Sequence, residues 1–158
     1  LLTSEIKAQA IIKHHRKVHT NTLQIVDELE DKDYLAIRDA LPTVKIVQVV
    51  HVLDESSIDE ALELSELVDA ILLDSGNPNL DVKELGGTGK THNWDLSRKI
   101  VEQCEKPIFL AGGLKSENVR EAIETVQPFG LDLCSGVRTD GKLDLRKLEA
   151  FFIEVDKV

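Results

Sequence analysis

Methionine is absent from this chain of 158 residues, aromatic residues make up only 4% of it, and it has two cysteines. The scarcity of aromatic rings leaves an aliphatic core, which suits parallel strands covered by helices. Cys104 and Cys134 form no CxxC pair, and no Cys/His spacing typical of a metal site occurs, so these residues predict no metal site. We expect both thiols to be buried in a reducing compartment.

Long apolar runs and positive charge are also lacking. No run approaches the roughly 18 residues that a membrane helix needs, and no signal peptide is recognisable, so we expect a cytoplasmic protein without a membrane partner. The 19 Lys and Arg residues stand against 29 Asp and Glu residues, which gives a net charge of −10. Because an acidic surface repels phosphate backbones, we expect no nucleic-acid partner. A site for a small phosphorylated ligand must therefore be built locally.

Short aliphatic runs alternate with amphipathic stretches along the chain. Several runs are continuous, as in strands that are buried on both faces. The predicted strands are Leu23–Val26, Val44–Val52, Ala70–Asp74, Pro107–Ala111 and Gly130–Cys134, with a stub at Leu1-Leu2. The predicted helices are Ser4–Val18, Asp31–Leu41, one that starts in a capping box at Ser57, one capped by Asn93, Ser116–Val126 and Asp144–Val155.

This alternation predicts one α/β domain over residues 1–158 with a parallel sheet, either doubly wound or a (β/α)8 TIM barrel. A complete barrel needs at least ~200 residues. The chain opens on Leu1-Leu2-Thr3-Ser4 without methionine, which reads like the end of a strand entering a helix. We therefore expect a barrel without its first two βα units and most of the third strand.

The glycine-rich segment with Gly86, Gly87 and Gly89 is not a nucleotide-binding P-loop. That motif would require a glycine at position 84, where Glu84 stands. The stretch from Gly76 to His92 is instead a long loop between a strand and a helix. Such a loop is either a lid over a site or an ordinary surface loop, and the residues alone do not decide between the two.

Small residues follow each of the last two predicted strands. Gly112-Gly113 ends one strand and Ser135-Gly136 ends the next. Such turns expose backbone N–H groups beside helix N-termini, and barrels of this type bind phosphate after their seventh and eighth strands. The alternative is a pair of ordinary tight turns. Lys115 and Arg138 lie just beyond and either assist the site or are solvated surface charges.

Asp74 ends the apolar strand Ala70–Asp74, at the edge of the sheet where barrel active sites lie. A carboxyl group among aliphatic residues has the raised pKa that a general acid needs. The competing interpretation is an aspartate that caps a turn.

Together these segments resemble the phosphoribosylanthranilate isomerase family of tryptophan biosynthesis. The resemblance covers nearly the whole chain and is carried by Leu72-Leu73-Asp74-Ser75, Gly86 to Trp94, Phe109 to Leu114 with Glu117-Asn118-Val119, and Pro128 to Val137. It implies a TIM barrel and an Amadori rearrangement of a phosphorylated small-molecule substrate, with no cofactor and no metal.

The resemblance also implies residue roles. Asp74 corresponds to the family's general acid, and Asp132 to a position near the amine of the substrate. Gly112, Gly113, Ser135 and Gly136 correspond to the phosphate-binding residues, and the loop with Gly86, Gly87 and Gly89 to a lid. The family's general base is a cysteine on the first strand, and residues 1–158 contain no counterpart of that segment.

The sequence departs from the family at several positions. Val26-Asp27 stands where the family usually has His-Gly, Gln48 where it often has lysine, and His92-Asn93 where it has Phe-Asp. Two other hypotheses therefore stay open: a related phosphate-binding barrel isomerase or epimerase, and a non-catalytic remnant that binds phosphate. The oligomeric state is not readable from the sequence.

Overall fold

The structure is a computed structural model that describes residues 1–76 and 91–158. The strands of the main sheet are β1 (Leu2–Thr3), β2 (Thr22–Ile25), β3 (Lys45–His51), β4 (Ala70–Asp74), β5 (Ile108–Leu110) and β6 (Gly130–Leu131). All six are parallel and lie in sequence order, β1-β2-β3-β4-β5-β6. This confirms the predicted parallel α/β sheet, and the sequential strand order is the one that a (β/α) barrel has.

Six helices connect and follow the strands: α1 (Ala8–Val18), α2 (Asp31–Ala40), α3 (Ser56–Ser65), α4 (Trp94–Gln103), α5 (Val119–Val126) and α6 (Leu145–Val155). A 3₁₀ turn, Ser135–Val137, and a short antiparallel hairpin of β7 (Arg138–Thr139) and β8 (Lys142–Leu143) lie between β6 and α6. Neither the turn nor the hairpin was predicted. No helix within the described ranges is long and apolar enough to cross a membrane.

The two faces of the sheet carry different apolar clusters. Strand residues such as Ile25, Ile46 and Leu73 pack with the helices in the main core. Alternate strand residues form a separate, smaller cluster of Val26, Val49, Leu72 and Ala111, with Val47 and Phe109 packed against it. No helix residue of the described chain belongs to this second cluster. The helices therefore cover one face, as right-handed crossovers between sequential strands require, and the other face lines the interior.

Several predicted boundaries change in the structure. The last strand ends at Leu131 and not at Cys134, because the chain turns away into the 3₁₀ turn. Asn93 caps α4 as predicted, since its side chain accepts a hydrogen bond from the Asp95 N–H.

The capping box at Ser57 is wrong. The helix starts one residue earlier, and the Ser57 hydroxyl accepts from the Leu53 N–H, 3.1 Å away, and donates to the His51 carbonyl oxygen.

Candidate active site

Asp74 lies at the carboxyl end of β4, where the apolar strand reaches the edge of the interior face. The four residues before it are buried, whereas Asp74 itself is half-buried. One of its carboxylate oxygens accepts a hydrogen bond from the Ser75 N–H at 2.7 Å. This bond holds the carboxylate at the end of β4. The side of the carboxylate away from the strand faces a cleft.

The turn after β5 packs directly against the end of β4. Gly112 and Gly113 have φ angles of +84° and +64°, a region that glycine enters without strain. A Cβ atom on Gly112 would lie 2.8 Å from the Ser75 side chain, so no larger residue fits between the two strand ends. The Asn118 side chain closes the turn, because it accepts from the Lys115 N–H and donates to the Gly113 carbonyl oxygen.

The turn after β6 packs against the turn after β5. A Cβ atom on Gly136 would overlap the carbonyl oxygen of Leu114. Ser135 and Gly136 belong to the 3₁₀ turn Ser135–Val137. Outside the helices and strands of the described residues, no backbone hydrogen bond is donated by the N–H of Gly112, Gly113, Ser135 or Gly136. Backbone N–H groups in turns of this kind can bind an anion.

The two predicted sites share one cleft. Its walls are Asp74, Ala111, Gly112, Gly113, Leu114, Asp132, Leu133, Cys134 and Ser135. Partial desolvation raises the pKa of Asp132, and the negative charge of Asp74 raises it further. The structure thus brings the candidate acid, the candidate amine contact and the phosphate turns to a single place.

One sequence expectation about the site is wrong, and another concerns residues outside the described ranges. The Cys134 thiol was expected to be buried, but it is exposed, because the chain leaves the sheet after Leu131. The predicted lid glycines, Gly86, Gly87 and Gly89, lie outside the described residues.

A second cleft at the same edge of the sheet was not predicted. It has a volume of about 330 Å³ and is lined by Val26, Asp27, Glu28, Val49, His51, Leu53 and Glu60. His51 was given no role in the sequence analysis, yet it pairs in register with Asp74 and is buried at the end of β3. Its position at the end of β3, beside the end of β4, would have indicated a candidate site residue. The sequence reveals that position only once the register of the two strands is known.

No group of three or more His, Cys, Asp or Glu side chains in residues 1–76 and 91–158 is arranged to hold a metal ion. A cavity of about 770 Å³ borders α3 and the start of α2 and contains none of the predicted site residues. The cleft therefore combines two carboxylates with the two turns that the sequence predicts to bind phosphate.

Comparisons with known proteins point to one family. The sequence model of the family described as "N-(5'phosphoribosyl)anthranilate (PRA) isomerase" matches residues 5–154. The N-(5'-phosphoribosyl)anthranilate isomerase of Methanosarcina acetivorans is 42% identical over 151 residues, which cover 88% of this chain and 62% of that protein. The corresponding protein of Methanocella arvoryzae is 37% identical over 142 residues, which cover 89% of this chain and 64% of that protein.

Solved structures give the same result. The phosphoribosyl anthranilate isomerase of Thermococcus kodakaraensis has a TM-score of 0.80 and 30% identity, and the match covers 100% of this chain and 74% of that one. The enzyme of Thermotoga maritima has a TM-score of 0.79 and 28% identity, with 99% and 72% covered. The chain spans less than two thirds of the length of the curated relatives. By its sequence and its fold, this chain belongs to the phosphoribosylanthranilate isomerase family.

Proposed function

We propose that this chain carries the acid and phosphate sites of a phosphoribosylanthranilate isomerase that acts in tryptophan biosynthesis in the cytoplasm. The observation that carries the proposal is the common cleft of Asp74, Asp132, Gly112, Gly113 and Ser135. A carboxylate and an anion-binding turn that border one cleft suit a phosphorylated sugar whose ring opens under acid catalysis.

The six strands correspond, in this proposal, to the third to eighth strands of a (β/α)8 barrel. Support comes from the sequential parallel order of the sheet and from the helices lying on one face only. In a barrel of this kind, the phosphate site lies after the last two strands, which are β5 and β6 in this chain. The match of the fold to solved isomerase structures over the whole chain agrees with this correspondence.

Asp74 is the general acid in the proposed reaction. Its protonated carboxyl group donates a proton to the furanose ring oxygen, and the bond between that oxygen and C1′ breaks to leave a protonated Schiff base. A base then removes the C2′ proton, and the resulting enolamine tautomerises to the aminoketose. Asp132 lies across the cleft from the acid and binds the substrate amine, whose positive character in the Schiff base it stabilises.

The base is not assigned to Cys134, the only cysteine in the cleft. Cys134 borders the phosphate side of the cleft, next to Ser135, where a thiol would face the phosphate group and not C2′. The family's base belongs to a first strand that has no counterpart in residues 1–158. Turnover by residues 1–158 therefore depends on a base from another segment, and ligand binding is the direct test of the described site.

The probe for that test is the ligand of a solved relative. A phosphoribosyl anthranilate isomerase with 25% identity was crystallised with reduced 1-(o-carboxyphenylamino)-1-deoxyribulose 5-phosphate. Titration of this compound into the whole chain, followed by calorimetry, is expected to give saturable 1:1 binding. Asp132→Asn, which removes the amine contact, is expected to weaken binding about tenfold. The control Asp140→Asn, on the exposed hairpin, is expected to leave it unchanged.

Turnover is the second part of the test, read as loss of the fluorescence of the anthranilate substrate. If the chain turns over, Asp74→Asn is expected to lower the rate at least ~100-fold, the usual scale for a general acid. Binding of the analogue without turnover would support the ligand site and agree with a base supplied by another segment. No binding at all would refute the proposed site.

A further inference from the structure

A further cavity borders the two predicted phosphate turns, and Asp74 is not among the residues that line it. It has a volume of about 290 Å³ and is lined by Gly113, Lys115, Ser116, Glu117, Ser135, Gly136 and Lys147. Three of these residues, Gly113, Ser135 and Gly136, also belong to the proposed phosphate site. The cavity thus borders the phosphate turns and adds two lysines to them.

Lys147 lies in α6, a helix in which the sequence analysis predicted no functional residue. Its ammonium group donates a hydrogen bond to the Arg138 carbonyl oxygen at 2.8 Å. Arg138 directly follows the 3₁₀ turn Ser135–Val137 and its N–H bonds back to the Ser135 carbonyl oxygen. The bond from Lys147 therefore ties the first turn of α6 to the end of the turn that carries Ser135 and Gly136.

The charges around this cavity are coupled. The pKa of Glu117 is lowered, first by its own backbone N–H and also by the Ser116 hydroxyl and the charges of Lys115 and Lys147. Glu117 thus lies close enough to both ammonium groups to feel their field. The cavity holds two positive groups and one negative group, in a chain whose net charge is −10.

A phosphate needs this local charge. Two carboxylates, Asp74 and Asp132, border the interior side of the turns and repel a dianion there. Backbone N–H groups carry only partial charge. Among the described residues that line either cavity, Lys115 and Lys147 are the only ones with a full positive charge.

We propose that Lys147, together with Lys115, is a phosphate-binding residue that sets the affinity of the turns for a phosphate dianion. This inference rests on the proposed function, because the phosphate site itself belongs to that proposal. The ammonium group of Lys147 faces the phosphate oxygens that point away from the sugar, and its bond to Arg138 holds the turn in the geometry that binds them. Glu117 opposes this attraction.

The experiment measures binding of inorganic phosphate to the whole chain by NMR at pH 7.5, with the amide signals of Gly113 and Gly136 as reporters. Lys147→Met is expected to weaken binding about fivefold, the scale for a partly solvated charge, and Lys147→Arg to keep it within about twofold. Lys115→Met is expected to weaken it similarly. Glu117→Gln is expected to strengthen binding. The matched control is Lys142→Met, because Lys142 is an exposed lysine of β8 outside both cavities.

The outcomes separate the two proposals. Wild-type binding that Lys147→Met and Lys115→Met leave unchanged would overturn the role of the lysines and keep the phosphate site. Equal losses in Lys147→Met and Lys142→Met would mean a general charge effect and would also overturn it. Failure of the wild-type chain to bind phosphate would count against the proposed function itself.

Discussion

Gly112 and Ser75 join the two halves of the candidate site. A Cβ atom on Gly112 would lie 2.8 Å from both the Cβ and the hydroxyl oxygen of Ser75 and 2.9 Å from its backbone nitrogen. The same Ser75 N–H donates to the carboxylate of Asp74. The turn after β5 therefore packs closely against Ser75, the residue whose N–H holds the carboxylate of the candidate acid at the end of β4.

Gly112→Ala tests this contact. The substitution combines strain at φ +84° with overlap at Ser75, and we expect a loss of about 2–4 kcal/mol in the free energy of unfolding by urea. Gly141→Ala is the matched control, since Gly141 has φ +74° but no atom within 4 Å of an added Cβ. It is expected to lose only about 1 kcal/mol. Equal losses in the two variants would show that the contact with Ser75 carries no energy.

The charge of Asp74 is expected to affect the titration of Asp132. The pKa of Asp132 is raised by desolvation and by the charge of Asp74, so Asp74→Asn is expected to lower it toward its ordinary value. Carboxyl-carbon NMR titration measures this shift directly, with Asp140→Asn as the control that should have no effect. A raised folded-state pKa also means that the contribution of Asp132 to stability is full below the unfolded-state pKa of 3.8 and is lost as the pH rises through the folded-state pKa. An unchanged Asp132 pKa in Asp74→Asn would contradict the shared cleft.

Tyr34 and Gln48 form a buried bridge between α2 and β3. The Tyr34 hydroxyl donates to the Gln48 side-chain oxygen at 2.7 Å and accepts from the Leu29 N–H, and burial raises the pKa of Tyr34 to about 12. Tyr34→Phe is expected to cost about 1–3 kcal/mol in urea unfolding, because the buried amide oxygen of Gln48 loses its donor.

A double-mutant cycle checks that the loss comes from this bond. In the Gln48→Met background, Tyr34→Phe is expected to cost at least about 1 kcal/mol less, since the acceptor is already gone. Equal costs in both backgrounds would assign the loss to packing and not to the hydrogen bond.

His92 is expected to make the stability depend on pH. It is largely buried against Ser97, with its Nε2 atom 2.7 Å from the hydroxyl oxygen, and desolvation lowers its pKa to about 4. A lowered folded-state pKa means that stability is full above the unfolded value of 6.5 and is lost as the pH falls toward 4. His92→Phe is expected to remove this loss, which amounts to about 1 kcal/mol per pH unit at most.

Urea unfolding at several pH values between 7 and 4 measures the effect. His14→Gln is the control, because His14 is exposed on α1 and its removal should leave the pH dependence in place. A wild-type chain and a His92→Phe variant with parallel pH profiles would show that His92 is solvated in the folded state.

Much of the fold could be predicted from the sequence, because the residue patterns that specify strands and helix caps are local. Ala70-Ile71-Leu72-Leu73 is apolar throughout and ends in a carboxylate, and it forms β4 with the predicted bounds. Asn93 offers a side-chain oxygen to the free N–H groups of a helix start, and it caps α4. The lid glycines lie outside the described residues and stay a prediction.

Other features depended on contacts that no local pattern encodes. The exposure of Cys134 follows from the chain leaving the sheet after Leu131, which is decided by packing of Gly136 on Leu114. His15 shows the same limit: it stands among polar residues of α1, yet it is buried with its Nε2 atom 2.7 Å from the Thr20 carbonyl oxygen. Lys147 lies beside the predicted phosphate turns only because α6 packs next to the 3₁₀ turn.

The sequence by itself determined the alternation of strands and helices, the parallel sheet and the family, because apolar periodicity and the residues at strand ends are local properties of the chain. The tertiary structure decided which strand ends meet. The register of β3, β4 and β5 sets His51 beside Asp74 and Leu73 beside Leu110, and the close approach of Gly112 to Ser75 joins acid and phosphate turn in one cleft. Register and close packing arise from contacts between residues distant in the chain, and those contacts exist only in the folded state.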